Sequence, residues 1–102
     1  MSAATEVVKV FSDIKDTRAM KQLFEEIFTP AEIQDVALRW RLMTMLHQGV
    51  PQRQIASELG VSLCKITRGA KIIRNRRSAT RKLLDKKLGE CHAKLREKAV
   101  HT

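Results

Sequence analysis

Residues 52–71, Gln-Arg-Gln-Ile-Ala-Ser-Glu-Leu-Gly-Val-Ser-Leu-Cys-Lys-Ile-Thr-Arg-Gly-Ala-Lys, carry the apolar and small-residue spacing of two short helices joined by a tight turn. Ile55 and Leu59 stand four apart on one helical face, and Ala56 offers a small surface where a second helix can approach closely. Gly60 is the residue able to take a positive φ and end the first helix. Val61 then fills the corner, and Ser62 supplies an oxygen to cap the next helix. Ile66 returns an apolar face to the first helix, which leaves Ser62, Leu63, Cys64, Lys65 and Thr67 free to meet a groove. Together these positions predict a helix-turn-helix.

Working outward, the composition agrees with an all-α chain. Four Gly, two Pro and 4% aromatic residues leave little material for turns and strands. At 102 residues the chain is expected to be a single helical domain. Its parts are dimerisation and core helices over 1–48, the helix-turn-helix over 50–76 and a basic amphipathic helix over 78–99. The net charge of +9 is unevenly spread. Residues 1–45 hold six Lys/Arg against seven Asp/Glu, whereas residues 46–102 hold fourteen against four. A positive half that coincides with the helix-turn-helix points to a polyanionic partner.

The N-terminal half reads as helices in search of neighbours. Val7, Val8, Phe11 and Ile14 keep helical spacing, and Asp16 is placed to cap a second helix running through Met20, Leu23, Phe24, Ile27 and Phe28. These apolar residues are expected to make core contacts. Thr29-Pro30-Ala31-Glu32 reads as a third helix start, with Thr29 at the cap, Pro30 in the first helical position and Glu32 closing a capping box. From Ile33 to Leu46 apolar residues, Trp40 among them, cover most of the helix circumference. A helix buried on so many sides needs many neighbours, and a second copy of the chain would supply them. Gly49 ends this helix, and Pro51 holds Val50 extended. Further on, Leu84, Leu88, Cys91 and Leu95 share one face of the last helix amid many Lys and Arg, and this narrow apolar stripe suits packing against the body or a partner subunit.

Several classes of function find no support. No apolar stretch is long enough to span a bilayer and no signal peptide is recognisable, so a cytoplasmic protein is expected. Cys64 and Cys91 are too few for a disulfide framework, and Cys91 and His92, being adjacent on a helix, diverge, so no metal site is expected. Neither a nucleophilic triad nor a phosphate-binding glycine loop is present, which argues against an enzyme.

Thr29-Pro30-Ala31-Glu32, Arg39, Gln52-Arg53-Gln54-Ile55 and above all Ile66-Thr67-Arg68-Gly69 resemble the Trp repressor family over about Leu23 to Lys71. The resemblance implies an all-helical, intertwined homodimer of five to six helices per chain. It also implies that L-tryptophan acts as corepressor, the chain having no other cofactor, and that a palindromic double-stranded operator is bound when the ligand is. Arg39 and Arg68 can sandwich an indole ring between planar guanidinium groups, and Arg68 can also reach the ligand carboxylate. Thr29 stands at a helix start suited to the ligand's polar end, and Gly69 leaves space for the ring. The family's carbonyl ligands for the ammonium group correspond to Glu26 and Phe28.

For DNA, Gln52, Lys65, Lys71, Arg74, Arg76 and Arg77 can serve phosphates. Arg53 can donate twice to a guanine edge, and Ser62, Leu63, Cys64 and Thr67 face the groove. Water-mediated readout is itself a Trp repressor property, carried over with the resemblance. The chain departs from the familiar pattern in having Ile72 where a serine helps hold the ligand's ammonium group and Lys65 in place of threonine. The joint before Gln52 is also one residue shorter. A ligand-independent or other-ligand regulator, an architectural DNA-binding protein and a protein-interaction module remain as alternatives.

Overall fold

The computed structural model describes residues 2–87. Among them are six helices and no strand: α1 (Ala3–Asp13), α2 (Thr17–Ile27), α3 (Pro30–His47), α4 (Gln52–Leu59), α5 (Leu63–Arg74) and α6 (79–87). The chain divides into two compact units, Met1–Ala37 and Leu38–Thr102, with the boundary inside α3.

In the first unit each helix start has a local cause. Ser2 Oγ accepts the Thr5 N–H at 3.2 Å to open α1. Asp16 accepts from the N–H groups of Arg18 and Ala19, both at 3.4 Å, to open α2. At α3 the capping box closes in both directions: the Glu32 N–H donates to Thr29 Oγ1 at 3.2 Å, and the Thr29 N–H donates to Glu32 Oε1 at 2.9 Å. The Thr29 backbone N–H, and secondarily its hydroxyl, hold the Glu32 carboxyl below the ordinary glutamate value. A depressed carboxyl stabilises the folded chain above its unfolded pKa and ceases to as pH falls through its folded pKa. An NMR titration of the Thr29 amide should therefore show a midpoint below the unperturbed glutamate value of about 4.3. A midpoint at or above that value would show the box to be open in solution.

The apolar stripes of α1 and α2 do not become core. Neither helix has a buried residue, and Val8 is 63% exposed. Phe11, Phe24 and Phe28 gather into an aromatic cluster, with ring centroids 4.7 to 6.4 Å apart, but two 11-residue helices cannot enclose it. Trp40 likewise departs from expectation. It is 38% exposed, with Lys87 Nζ 5.7 Å from its ring centroid.

Among the described residues, those that are buried all lie in the second unit. Leu42, Met45, Ile55 and Ile66 form the core, with Met43, Leu46, Val50, Ala56, Leu59 and Val61 packed around them. Gly49, at φ +84°, turns the chain out of α3. The Gly49 N–H reaches the Leu46 carbonyl at 3.1 Å and the Val50 N–H reaches Met45 at 3.0 Å, the paired bonds of a Schellman end. Gly60, at φ +63°, does the same for α4, its N–H on the Ala56 carbonyl at 2.9 Å. Ser62 Oγ then accepts the Lys65 N–H at 3.4 Å to start α5. Ile55 and Ile66 are completely enclosed, so the turn closes around the two side chains that its spacing singles out.

Helix α5 meets α3 at Gly69. A Cβ there would stand 2.5 Å from Leu42 Cδ2 and 3.1 Å from Leu46 Cδ1. Leu42 is buried and cannot swing aside freely, so Gly69→Val should cost about 1–3 kcal/mol in denaturant unfolding through overpacking. An unchanged midpoint would mean that the two helices do not approach this closely. Of the predicted last helix, Leu84 is buried, whereas Leu88, Cys91 and Leu95 lie outside the described residues.

Candidate nucleic-acid interface

The enclosed pair Ile55 and Ile66 fixes what the rest of α4 and α5 can present. With those two inward, Gln52, Arg53, Ser62, Leu63, Cys64, Lys65, Thr67, Lys71 and Arg74 are all exposed. Leu63 is 59% exposed, a large apolar side chain held out at the first position of α5. Leu63, Cys64, Thr67, Arg68 and Lys71 line one open depression of about 420 Å³. Five side chains along one face of α5 thus form a single surface with cationic, hydroxyl and apolar groups. Thr67 Oγ1 donates to the Leu63 carbonyl at 2.9 Å, which leaves its oxygen lone pairs pointing outward as acceptors. Arg74 is partly folded back, with Nε donating to the Ala70 carbonyl at 3.3 Å.

Helix α4 begins after Pro51 with no side-chain cap. The N–H groups of its first turn are therefore open to an outside acceptor, and the helix dipole adds positive potential there, beside Gln52 and Arg53. From Gly60 to Lys87 the chain carries ten Lys/Arg and one carboxylate, Asp85. That carboxylate is occupied: His47 Nε2 lies 2.5 Å from Asp85 Oδ1, and Arg81 Nε lies 3.7 Å from Oδ2. The His47 hydrogen bond, with a smaller contribution from Arg81, holds the Asp85 carboxyl below its ordinary range. Asp85 thus stays ionised and engaged, and no other carboxylate interrupts the basic run between Gly60 and Lys87.

The residues expected to hold a small ligand are distributed over both units. Thr29 sits in the first, engaged in the α3 capping box. Arg39, Arg68 and Gly69 belong to the second. Arg39 and Arg68 are exposed, on α3 and α5 respectively. Gly69 is buried, and its missing side chain accommodates Leu42 and Leu46, which gives it a packing reason independent of any ring. Ile72 is half-buried on α5.

Sequence reading missed the group formed by His47, Arg81 and Asp85. His47 and Asp85 are 38 positions apart, and nothing local to either residue marks the pairing. Only the path of α6, along which Leu84 is buried, brings them together.

The model of the family described as Trp repressor protein matches residues 3–88. A Trp operon repressor homolog of Xylella fastidiosa is 40% identical over 65 residues, covering 63% of this chain and 71% of the relative. A Trp operon repressor homolog of Chlamydia trachomatis is 30% identical over 78 residues, covering 76% of this chain and 83% of the relative. No solved structure matches the chain. Among the described residues no helix is long and apolar enough to cross a membrane.

Proposed function

The chain belongs to the Trp repressor family, a family of transcriptional regulators, and from that premise we propose that it is a sequence-specific DNA-binding repressor acting as a homodimer, with L-tryptophan as corepressor. The observation that carries the proposal is the exposed α5 face from Leu63 to Lys71, set on a helix-turn-helix whose Ile55 and Ile66 are fully enclosed. In this reading α5 enters the major groove. Lys65 and Lys71, with Gln52, Arg74, Arg76 and Arg77, contact phosphates. Arg53, Ser62, Leu63, Cys64 and Thr67 face base edges, directly or through water. The uncovered apolar faces of α1 and α2 and the exposed Trp40 supply what a second copy would bury. Two recognition helices about 34 Å apart would then suit a palindromic operator.

Arg39 and Arg68 are assigned to the indole and carboxylate of the ligand. Ligand and duplex binding are then linked: any factor by which L-tryptophan tightens DNA is the factor by which DNA tightens L-tryptophan. Calorimetry with L-tryptophan tests the corepressor role. Heat from one site per chain, with tighter duplex binding in its presence, is expected. Ile72 favours a second reading, because a half-buried isoleucine offers the ammonium group no hydrogen bond. One missing charge-assisted bond is worth about 1.5–3 kcal/mol, a ten- to hundredfold loss of affinity. No heat at millimolar L-tryptophan, with duplex binding intact, would establish a ligand-independent or other-ligand regulator instead.

A further inference from the structure

A chain of polar contacts joins the entrance of the helix-turn-helix to its exit. At the entrance, His47 closes α3 two residues before the Gly49 turn that leads into α4. Its side chain is 14% exposed, and its Nε2 reaches Asp85 Oδ1 at 2.5 Å. The other ring nitrogen, Nδ1, is buried without a partner among the described residues, so the bond to Asp85 orients the imidazole. At the exit, Arg81 Nη1 donates to the Ile73 carbonyl at 3.2 Å. That carbonyl belongs to the last turn of α5, where no intrahelical donor follows. Arg81 Nε lies 3.7 Å from the second oxygen of Asp85, and Ser78 Oγ accepts the Arg81 N–H at 3.2 Å. One carboxylate therefore connects the end of α3 to the end of α5.

We infer that His47, Asp85 and Arg81 form a clasp that sets the position of α5 for duplex reading, so that His47 and Asp85 are positioning residues outside the DNA-contacting surface. The inference rests on the DNA-binding function proposed above. Base reading depends on side chains held to a fraction of an ångström, and such placement comes from the contacts behind the reading helix. The core grips α5 at Ile66 and Gly69, in its first two turns. The clasp holds its last turn, at the start of the run of Arg74, Arg76 and Arg77.

Electrostatics and positioning predict opposite signs. Removing a carboxylate from a basic DNA-binding protein should by itself tighten binding to a polyanion, whereas releasing the clasp should weaken recognition of a preferred sequence. Wild-type protein is first titrated with a duplex recovered by repeated selection from a random pool and with an unselected duplex of equal length and salt. Failure to prefer the selected duplex would remove DNA reading itself, and the clasp's role with it. Given that preference, His47→Ala and Asp85→Ala should each lower affinity for the selected duplex by about tenfold. Affinity for the unselected duplex should not fall, and the double variant should be no weaker than the weaker single one. Asp85→Asn, nearly isosteric, provides the measurement should the alanine variants unfold, with an expected loss of about threefold. Unchanged or tighter binding of the selected duplex by folded Asp85→Asn protein would overturn the clasp, as would multiplicative effects in the double variant.

Discussion

Truncation of Ile66 to alanine is expected to unfold the helix-turn-helix. Ile66 is completely enclosed, between Ile55 of the preceding helix and Leu42 and Met45 of α3. Removing its outer carbons forfeits their burial and leaves a cavity that three converging helices cannot collapse, at a cost of about 2–5 kcal/mol. Small domains are stable by only about 5–15 kcal/mol in total, and this chain has one small core among its described residues. The melting temperature should fall by about 10 °C or more, and duplex binding should be lost with it, because Leu63, Lys65 and Thr67 are displayed only while Ile66 anchors their helix. A change below about 1 kcal/mol would mean that Ile66 does not fill the space between α4 and α5.

Replacing Arg68 with alanine has the second largest expected effect, and it acts on two ligands at once. Arg68 is exposed on α5 beside the depression that also takes in Cys64, Thr67 and Lys71. Its guanidinium is assigned to the tryptophan ring and carboxylate, and it lines the same α5 face that is proposed to meet DNA. Loss of a charge-assisted contact should weaken L-tryptophan binding by about 1.5–3 kcal/mol. If Arg68 also neutralises one phosphate, the slope of log affinity against log salt should shrink by about 0.9. Stability should barely change, because an exposed arginine contributes little to the fold. Calorimetry with L-tryptophan and salt-dependent duplex titrations check the two arms separately. Unchanged affinity for both would make the assignment of Arg68 wrong.

How far the sequence could be read depends on how local each cause is. The turn between α4 and α5 was legible because Gly60, Ser62, Ile55 and Ile66 act on neighbours within about one helical turn or across a three-residue joint. The capping box at Thr29 and Glu32 was legible for the same reason. Gly69 was harder. A missing side chain says that something approaches, and the approaching group proved to be Leu42 of α3, 27 residues away in sequence. The stripes of α1 and α2 show the same limit from the other side: periodic apolar residues reveal that a face seeks cover without revealing what covers it, and nothing among the described residues buries Val8. Exposure of Leu63, Lys65 and Thr67 followed from the inward positions of their neighbours, whereas the contact of His47 with Asp85 required the path of α6.

The most direct measurement is the footprint and stoichiometry of the protein on a duplex selected from a random pool. Two chains per duplex are expected, protecting two symmetry-related patches about one helical turn, or 34 Å, apart. Replacing Lys65 and Thr67 together should abolish protection at both patches. A single chain on one patch, or equal affinity for selected and unselected duplexes at low salt, would contradict paired reading of DNA by α5.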